Sequence, residues 1–164
     1  MRKIITSALA AAAAAAVMGG AGLAVASTHS ASSGTESFQM MTTSSANPSV
    51  IASGSVFTAA GTDHESPNHK TGLFVFPNGT VTVKHSPGKG TQHFDPKTCL
   101  LTISEHGTYK LQSGTGAYAG ISGSGKYQLS ILGIGARSGG KCVQNKPPVA
   151  FHQVINASGT ASLP

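Results

Sequence analysis

The chain has no tryptophan, and beyond Arg2 it has a single arginine, Arg137. A groove that tracks phosphates with cationic forks and stacks bases on aromatic rings therefore has little to be built from. Its lysines (Lys70, Lys84, Lys89, Lys97, Lys110, Lys126, Lys141 and Lys146) stand singly after the first three residues. No basic run marks a nucleic-acid or membrane patch, so nucleic acid is not expected as a partner. Acids are scarcer still: with Arg2 and Lys3 set aside, nine cations face five carboxylates, a net charge of +4 with histidine neutral. Only two cysteines occur, Cys99 and Cys142, neither near the N-terminus nor in a Cys-x-x-Cys pair. A lipoprotein anchor has no thiol to carry its lipid, and no redox dithiol is apparent. Two further chemistries lack their motifs. No Gly-x-Ser-x-Gly marks a nucleophile elbow, and no Gly-Lys-Ser/Thr follows the glycine-rich stretch to cradle a phosphate.

What is present begins with an export signal. Met1-Arg2-Lys3 is basic, Ile4 to Leu23 is alanine-rich without a charge, and Ala24-Val25-Ala26 offers the small residues that a signal peptidase reads. Residues 1–26 are read as a signal peptide cleaved between Ala26 and Ser27, giving a secreted protein with no stable membrane insertion after cleavage. An uncleaved anchor is the alternative, since the run is long enough to span a bilayer; Gly19, Gly20 and Gly22 weaken it. The alanine-rich signal has a bacterial character, so the sequons at Asn78-Gly79-Thr80 and Asn156-Ala157-Ser158 are not expected to carry glycans. Export also makes a Cys99–Cys142 disulfide the simplest use of two cysteines. Closing that loop stabilises by about 3–4 kcal/mol in the chain-entropy model.

Residues 27–48 are half serine and threonine, with Glu36 the one charge and Phe38, Met40 and Met41 the large apolar groups. Such a stretch buries little to offset its chain entropy and is expected to be a flexible lead; the alternative is that Phe38-Gln39-Met40 begins a first strand. Residues 49–164 are long enough for one domain with one core. Strands are expected at Val50 to Ala59, Thr71 to Phe76, Thr80 to His85, Leu100 to Glu105, Thr108 to Gln112, Lys126 to Ile134, Val149 to Ile155 and Gly159 to Leu163. Asn78-Gly79 supplies the positive-φ pair of a tight hairpin, and Gly107 a bend or bulge. Val81, Val83 and His85 share one face of their strand, the period-2 pattern of a half-buried sheet. Seven to eight short antiparallel strands that each bury one face make an all-β sandwich or barrel. An eight-stranded β-barrel is favoured because closure removes exposed edges.

One string stands out: Gly114-Thr115-Gly116-Ala117-Tyr118-Ala119-Gly120-Ile121-Ser122-Gly123-Ser124-Gly125. It suits a tight connection in which backbone passes close to backbone and Tyr118 packs inward. In the order Gly114-Thr115-Gly116, Tyr118, Gly120 and Gly123, just before a strand, it resembles the allene oxide cyclase and dirigent families. The order of strands around it is similar to that of secreted bacterial members of the same barrel group. The match covers about a dozen residues, and the resemblance implies a small eight-stranded barrel in which the glycine motif is structural. In the plant members the barrel steers or cyclises reactive apolar molecules without a cofactor. Their charged pocket residues have no matching positions in this chain, so the implication is of fold more than activity.

No metal or cofactor is expected. His64, His69, His85, His93, His106 and His152 follow no ligand spacing, and Asp63-His64-Glu65 with His69 reads as a solvated loop. His85 and Glu105 are the candidate pocket residues: His85 shares a face with Val81 and Val83, and Glu105 shares one with Leu101 and Ile103. Both also sit near strand ends, where a barrel mouth is wet. Two functions follow. The favoured one is non-catalytic binding of a small apolar ligand or envelope component; the other is a cofactor-free cyclase or isomerase with a His/Glu-lined cavity. A cell-surface structural role is a third reading, resting on the Ser/Thr lead. A barrel filled by its own side chains points to the first, and an enclosed cavity with convergent polar groups to the second.

Overall fold

The computed structural model describes residues 31–164 apart from residue 45; the expected signal peptide and its expected cleavage point at Ala26 and Ser27 lie outside the described residues. Eight strands form a closed antiparallel barrel: β1 (Ser32–Thr42), β2 (Ser49–Gly54), β3 (Ala59–Glu65), β4 (Thr71–Phe76), β5 (Gly79–Asp95), β6 (Leu100–Gly114), β7 (Ser122–Ile134) and β10 (Ala150–Leu163). Between β7 and β10 a short ribbon of β8 (Ala136–Ser138) and β9 (Lys141–Val143) stands apart. Barrel neighbours are also successive in sequence once the ribbon is skipped, and β1 closes the ring by pairing with both β2 and β10. All eight are thus paired on both sides, which removes the exposed edge that an open sheet would present.

Period-2 alternation builds the interior. Phe38 and Met40 from β1, Val50 and Ala52 from β2, Phe74 and Phe76 from β4, Val81 and Val83 from β5, and Tyr109 and Leu111 from β6 are buried together. One end of the barrel is filled. There Tyr118, in a single 3-10 turn (Gly116–Tyr118), lies with its ring centroid 4.8 Å from Phe57 and 5.3 Å from Phe76. The glycine string is the connection that lets Tyr118 in. Gly116 and Gly120 take φ values of 59° and 81°, and a Cβ on Gly114 would collide with the Tyr118 carbonyl. Gly123 opens β7 beside Ala161. The string is structural in this fold, with Tyr118 5% exposed.

At the other end β5, β6, β7 and β10 run on past the shorter strands. Cys99 and Cys142 are joined there, with Cα atoms 5.4 Å apart, fastening the ribbon to the turn between β5 and β6. Asp95 shapes that turn by accepting from the Lys97 N–H at 2.8 Å and the Thr98 hydroxyl at 2.8 Å, bonds that hold its carboxyl below its usual range. Among the described residues no helix is long and apolar enough to cross a membrane.

The structure corrects six expectations. Val149 to Ile155 and Gly159 to Leu163 are not two strands but one continuous strand, Ala150–Leu163. The lead over 27–48 is not flexible where described: Ser32–Thr42 is a strand of the barrel, so the domain begins before residue 49. Its outward positions Ser33, Thr35, Ser37 and Gln39 are polar, while Glu36, Phe38 and Met40 are buried, and tertiary pairing on both sides supplies what composition does not. Val50 to Ala59 is two strands, interrupted where Phe57 packs against the core. The segment Asp63-His64-Glu65 ends β3 instead of lying in a loop, paired with β4. Gly107 makes no break, since β6 continues through it, and the irregularity falls opposite, between Pro87 and Gly90. In the β4–β5 hairpin Phe76 pairs with Gly79, so the two-residue loop is Pro77-Asn78, and Gly79 alone has positive φ.

Candidate ligand cavity

The half of the barrel away from Tyr118 is not filled. It holds a cavity of about 310 Å³ whose inner wall is apolar, formed by Phe38, Met40, Phe74, Val83, Leu129 and Ile155. Around these stand Asp63, Glu65, His69, His85, Glu105, Tyr127 and Gln153. The two residues proposed from sequence, His85 and Glu105, line this one cavity, but each has a different partner. His85 Nε2 lies 3.0 Å from Glu65 Oε1, and an ionised carboxylate only accepts, so the imidazole donates. Glu105 Oε1 accepts the Tyr127 hydroxyl at 2.5 Å, and the Tyr127 ring meets His85 edge-on at a centroid distance of 6.2 Å. Two hydrogen-bonded pairs, Glu65–His85 on β3 and β5 and Tyr127–Glu105 on β7 and β6, thus meet through a ring contact. Burial, then the hydrogen bond to Glu105, pushes the Tyr127 phenol far up, so it stays a donor.

Two glycines make room for these groups. A Cβ on Gly107 would lie 2.5 Å from the Tyr127 ring, and one on Gly72 would lie 2.6 Å from Asp63 Oδ1. Gly107 is therefore a seat for an aromatic ring, which accounts for a glycine in the middle of an unbroken strand.

Glu65, read from sequence as part of a solvated loop, lines the cavity, and so does Asp63, the first buried acid that sequence reasoning missed. It is 5% exposed, lines the cavity, and its Oδ1 is buried with no hydrogen-bond partner. Burial raises its pKa from 3.8 to about 6; Glu65 pushes the same way, and His85 and His64 oppose. Glu36, fully buried beside the core, is the second missed acid. Its Oε2 accepts from Val56 N at 3.1 Å and Phe57 N at 3.4 Å, while Oε1 has no partner. Burial also raises the Glu36 pKa, against those two bonds, and with Glu36 nearby the desolvated Tyr109 phenol is pushed up to about 12.

The remaining histidines are not brought together. His64 faces outward, with Asn47 Nδ2 at 3.0 Å and Thr62 Oγ1 at 3.1 Å, and His93, His106 and His152 are exposed elsewhere. Among the described residues no three of His, Cys, Asp and Glu form a set able to hold a metal ion. Charge is sorted by face. Four of the five acids, Glu36, Asp63, Glu65 and Glu105, sit on inward positions of their strands, whereas no lysine or arginine lines the cavity. Chemically the site can hold an apolar body, accept hydrogen bonds, and exchange protons through Asp63 or the His85–Glu65 pair. Comparison with protein-family models, curated proteins and solved structures gives no match.

Proposed function

We propose that this chain is an exported barrel that binds a small, predominantly apolar molecule in the half-barrel cavity. The observation that carries this reading is the cavity itself: a closed barrel whose one end is packed with Tyr118, Phe57 and Phe76 keeps about 310 Å³ of apolar-walled space at the other. Ligand pockets have this character, apolar lining with a few placed polar groups. Export is supported by the basic, apolar and small-residue order of residues 1–26 and by the disulfide, which belongs to an oxidising compartment. The resemblance to the allene oxide cyclase and dirigent group belongs to the same reading, supported by the eight-stranded order and by Tyr118 packing from the glycine string.

Native mass spectrometry of protein recovered from its own culture medium tests it. A retained small molecule, released on denaturation and competed by an added hydrophobe, is expected; a protein that is always empty and takes up no apolar probe refutes the reading.

A second reading, cofactor-free acid–base catalysis, is the one that a cavity with polar groups is expected to favour over a barrel filled by its own side chains, and Asp63 and the His85–Glu65 pair line this cavity. A carboxyl with a pKa of about 6 can both take and give a proton near neutral pH. If the captured molecule is returned isomerised by wild-type protein and unchanged by His85→Gln, this second reading replaces the first.

A further inference from the structure

Within the class of apolar ligands, an inference that rests on the reading above, we propose that the cavity selects molecules carrying a protonated amine. The ammonium would sit at Asp63, Glu65 and Glu105, and the apolar body on Phe38, Phe74 and Ile155.

Three observations lead there. The first is the distribution of charge. The described chain is basic, yet Asp63, Glu65 and Glu105 line this cavity and no lysine or arginine does. Since cations elsewhere in the chain outnumber acids, an acidic lining against that composition raises the local concentration of positively charged solutes and disfavours anions.

The second observation is Asp63 Oδ1, which is buried at the cavity wall without a partner in a side chain only 5% exposed. Buried polar atoms are nearly always hydrogen-bonded, so one that is not calls for a specific reason, and for Asp63, at a cavity wall, a ligand supplies one. A carboxylate accepts and does not donate, so what completes it must be a donor; an ammonium brings three N–H groups and the matching charge. Gly72 reinforces the point, because any larger residue there would press on this oxygen.

The third is the saturation of the neighbours. Glu65 uses Oε1 on His85 and Glu105 uses Oε1 on Tyr127, leaving each with a second oxygen. A hydroxyl ligand brings one donor and no charge, whereas an ammonium brings a positive charge that these carboxylates attract whichever free oxygen it donates to. The upward displacement of the Asp63 pKa agrees, since it arises from burial and from Glu65, and a cation beside the carboxylate counters both.

The test is a matched series with one apolar tail and three heads: octylamine, 1-octanol and octanoate, titrated calorimetrically into the purified protein at pH 7.5. Each affinity is read as a ratio to that of octanol. The amine is expected to bind at least tenfold more tightly than the alcohol and the carboxylate more weakly than the alcohol, with the amine advantage reduced by 0.5 M salt. In Asp63→Asn the amine-to-alcohol ratio should fall to threefold or less; Glu65→Gln should lower it in the same direction and serves if the first variant does not fold. Equal or weaker binding of the amine than of octanol in wild type overturns the proposal and leaves apolar binding standing. So does an undiminished ratio in both folded variants. If none of the three binds, the cavity-binding reading itself fails.

Discussion

Asp63→Asn separates a carboxylate retained for a ligand from one retained for stability. In the wild type this side chain is 5% exposed, and burial, then Glu65, raises its pKa from 3.8 to about 6 against the opposing influence of His85 and His64. An acid whose folded-state pKa lies above its unfolded value holds its proton more tightly when folded. Its contribution is therefore full below the unfolded pKa and lost as pH rises through the folded one. For Asp63 the window runs from about pH 4 to about pH 6, and a displacement of roughly two units corresponds to about 3 kcal/mol. Asparagine has nearly the same shape and does not titrate. The variant should match wild type near pH 4 and exceed it by about 2–3 kcal/mol at pH 7.

Urea unfolding at half-unit steps between pH 4 and pH 8 measures this directly, and wild type minus variant cancels every other titrating group to first order. The groups that share the cavity with Asp63 are Glu65 on its own strand, His69 from the β3–β4 connection, His85 on β5 and Glu105 on β6. Repeating the comparison in a Glu65→Gln background should shrink the difference, because one like charge has gone. Curves that run parallel within about 0.5 kcal/mol across the window, or an asparagine variant less stable than wild type at pH 7, would refute the claim that this carboxylate is ionised at a loss to the fold.

Four other outcomes follow from the same structure. Tyr118→Ala should lower stability by about 3 kcal/mol or more, since the ring fills the closed end against Phe57 and Phe76; an unchanged denaturation midpoint would remove the structural account of the glycine string. Thiol labelling of unreduced, denatured protein should find no free thiol, and the double change Cys99→Ser, Cys142→Ser should lose about 3–4 kcal/mol in urea titrations. Glu36→Ala should lose about 2 kcal/mol or more by stranding the Val56 and Phe57 N–H groups, whereas Glu36→Gln keeps an acceptor there, carries no charge, and should be well tolerated at pH 7. N-terminal sequencing of secreted material should begin at or within a few residues of Ser27; intact Met1 protein embedded in membrane would contradict export.

The all-β class and the inward Tyr118 were legible from local signals, whereas the barrel was preferred over a sandwich because closure hides edges and the disulfide followed from export and a single pair of cysteines. Val81, Val83 and His85 alternate cleanly, and β5 places them inward as alternation requires. The first strand was not legible for the complementary reason. On β1 the outward face is Ser33, Thr35, Ser37 and Gln39, and composition averaged over both faces resembles a linker. Parity would have revealed it, because Glu36, Phe38 and Met40 recur at every second residue as Val81 and Val83 do. Gly107 misled in the opposite direction, since a glycine needed for close approach by Tyr127 looks in sequence like one needed for a bend.

The site was half legible, and the missing half shows what kind of site it is. Glu105 could be placed because Leu101 and Ile103 fix the inward face of β6, but β3 has only Ala59 and Gly61 at the inward positions before Asp63, too little apolar signal to give a face. An inward carboxylate without a partner is destabilising in itself, and nothing in barrel closure calls for one. Here Gly72 leaves room for Asp63 and Gly107 for Tyr127, whose hydroxyl fixes Glu105, while Lys84, Lys110 and Lys126 face outward on strands β5, β6 and β7. Packing alone would have favoured alanine or valine at position 63. That the fold instead makes space around an unpartnered acid, on a wall shared with two further carboxylates and no lysine or arginine, is the feature on which the proposal of a donor ligand at this end of the barrel rests.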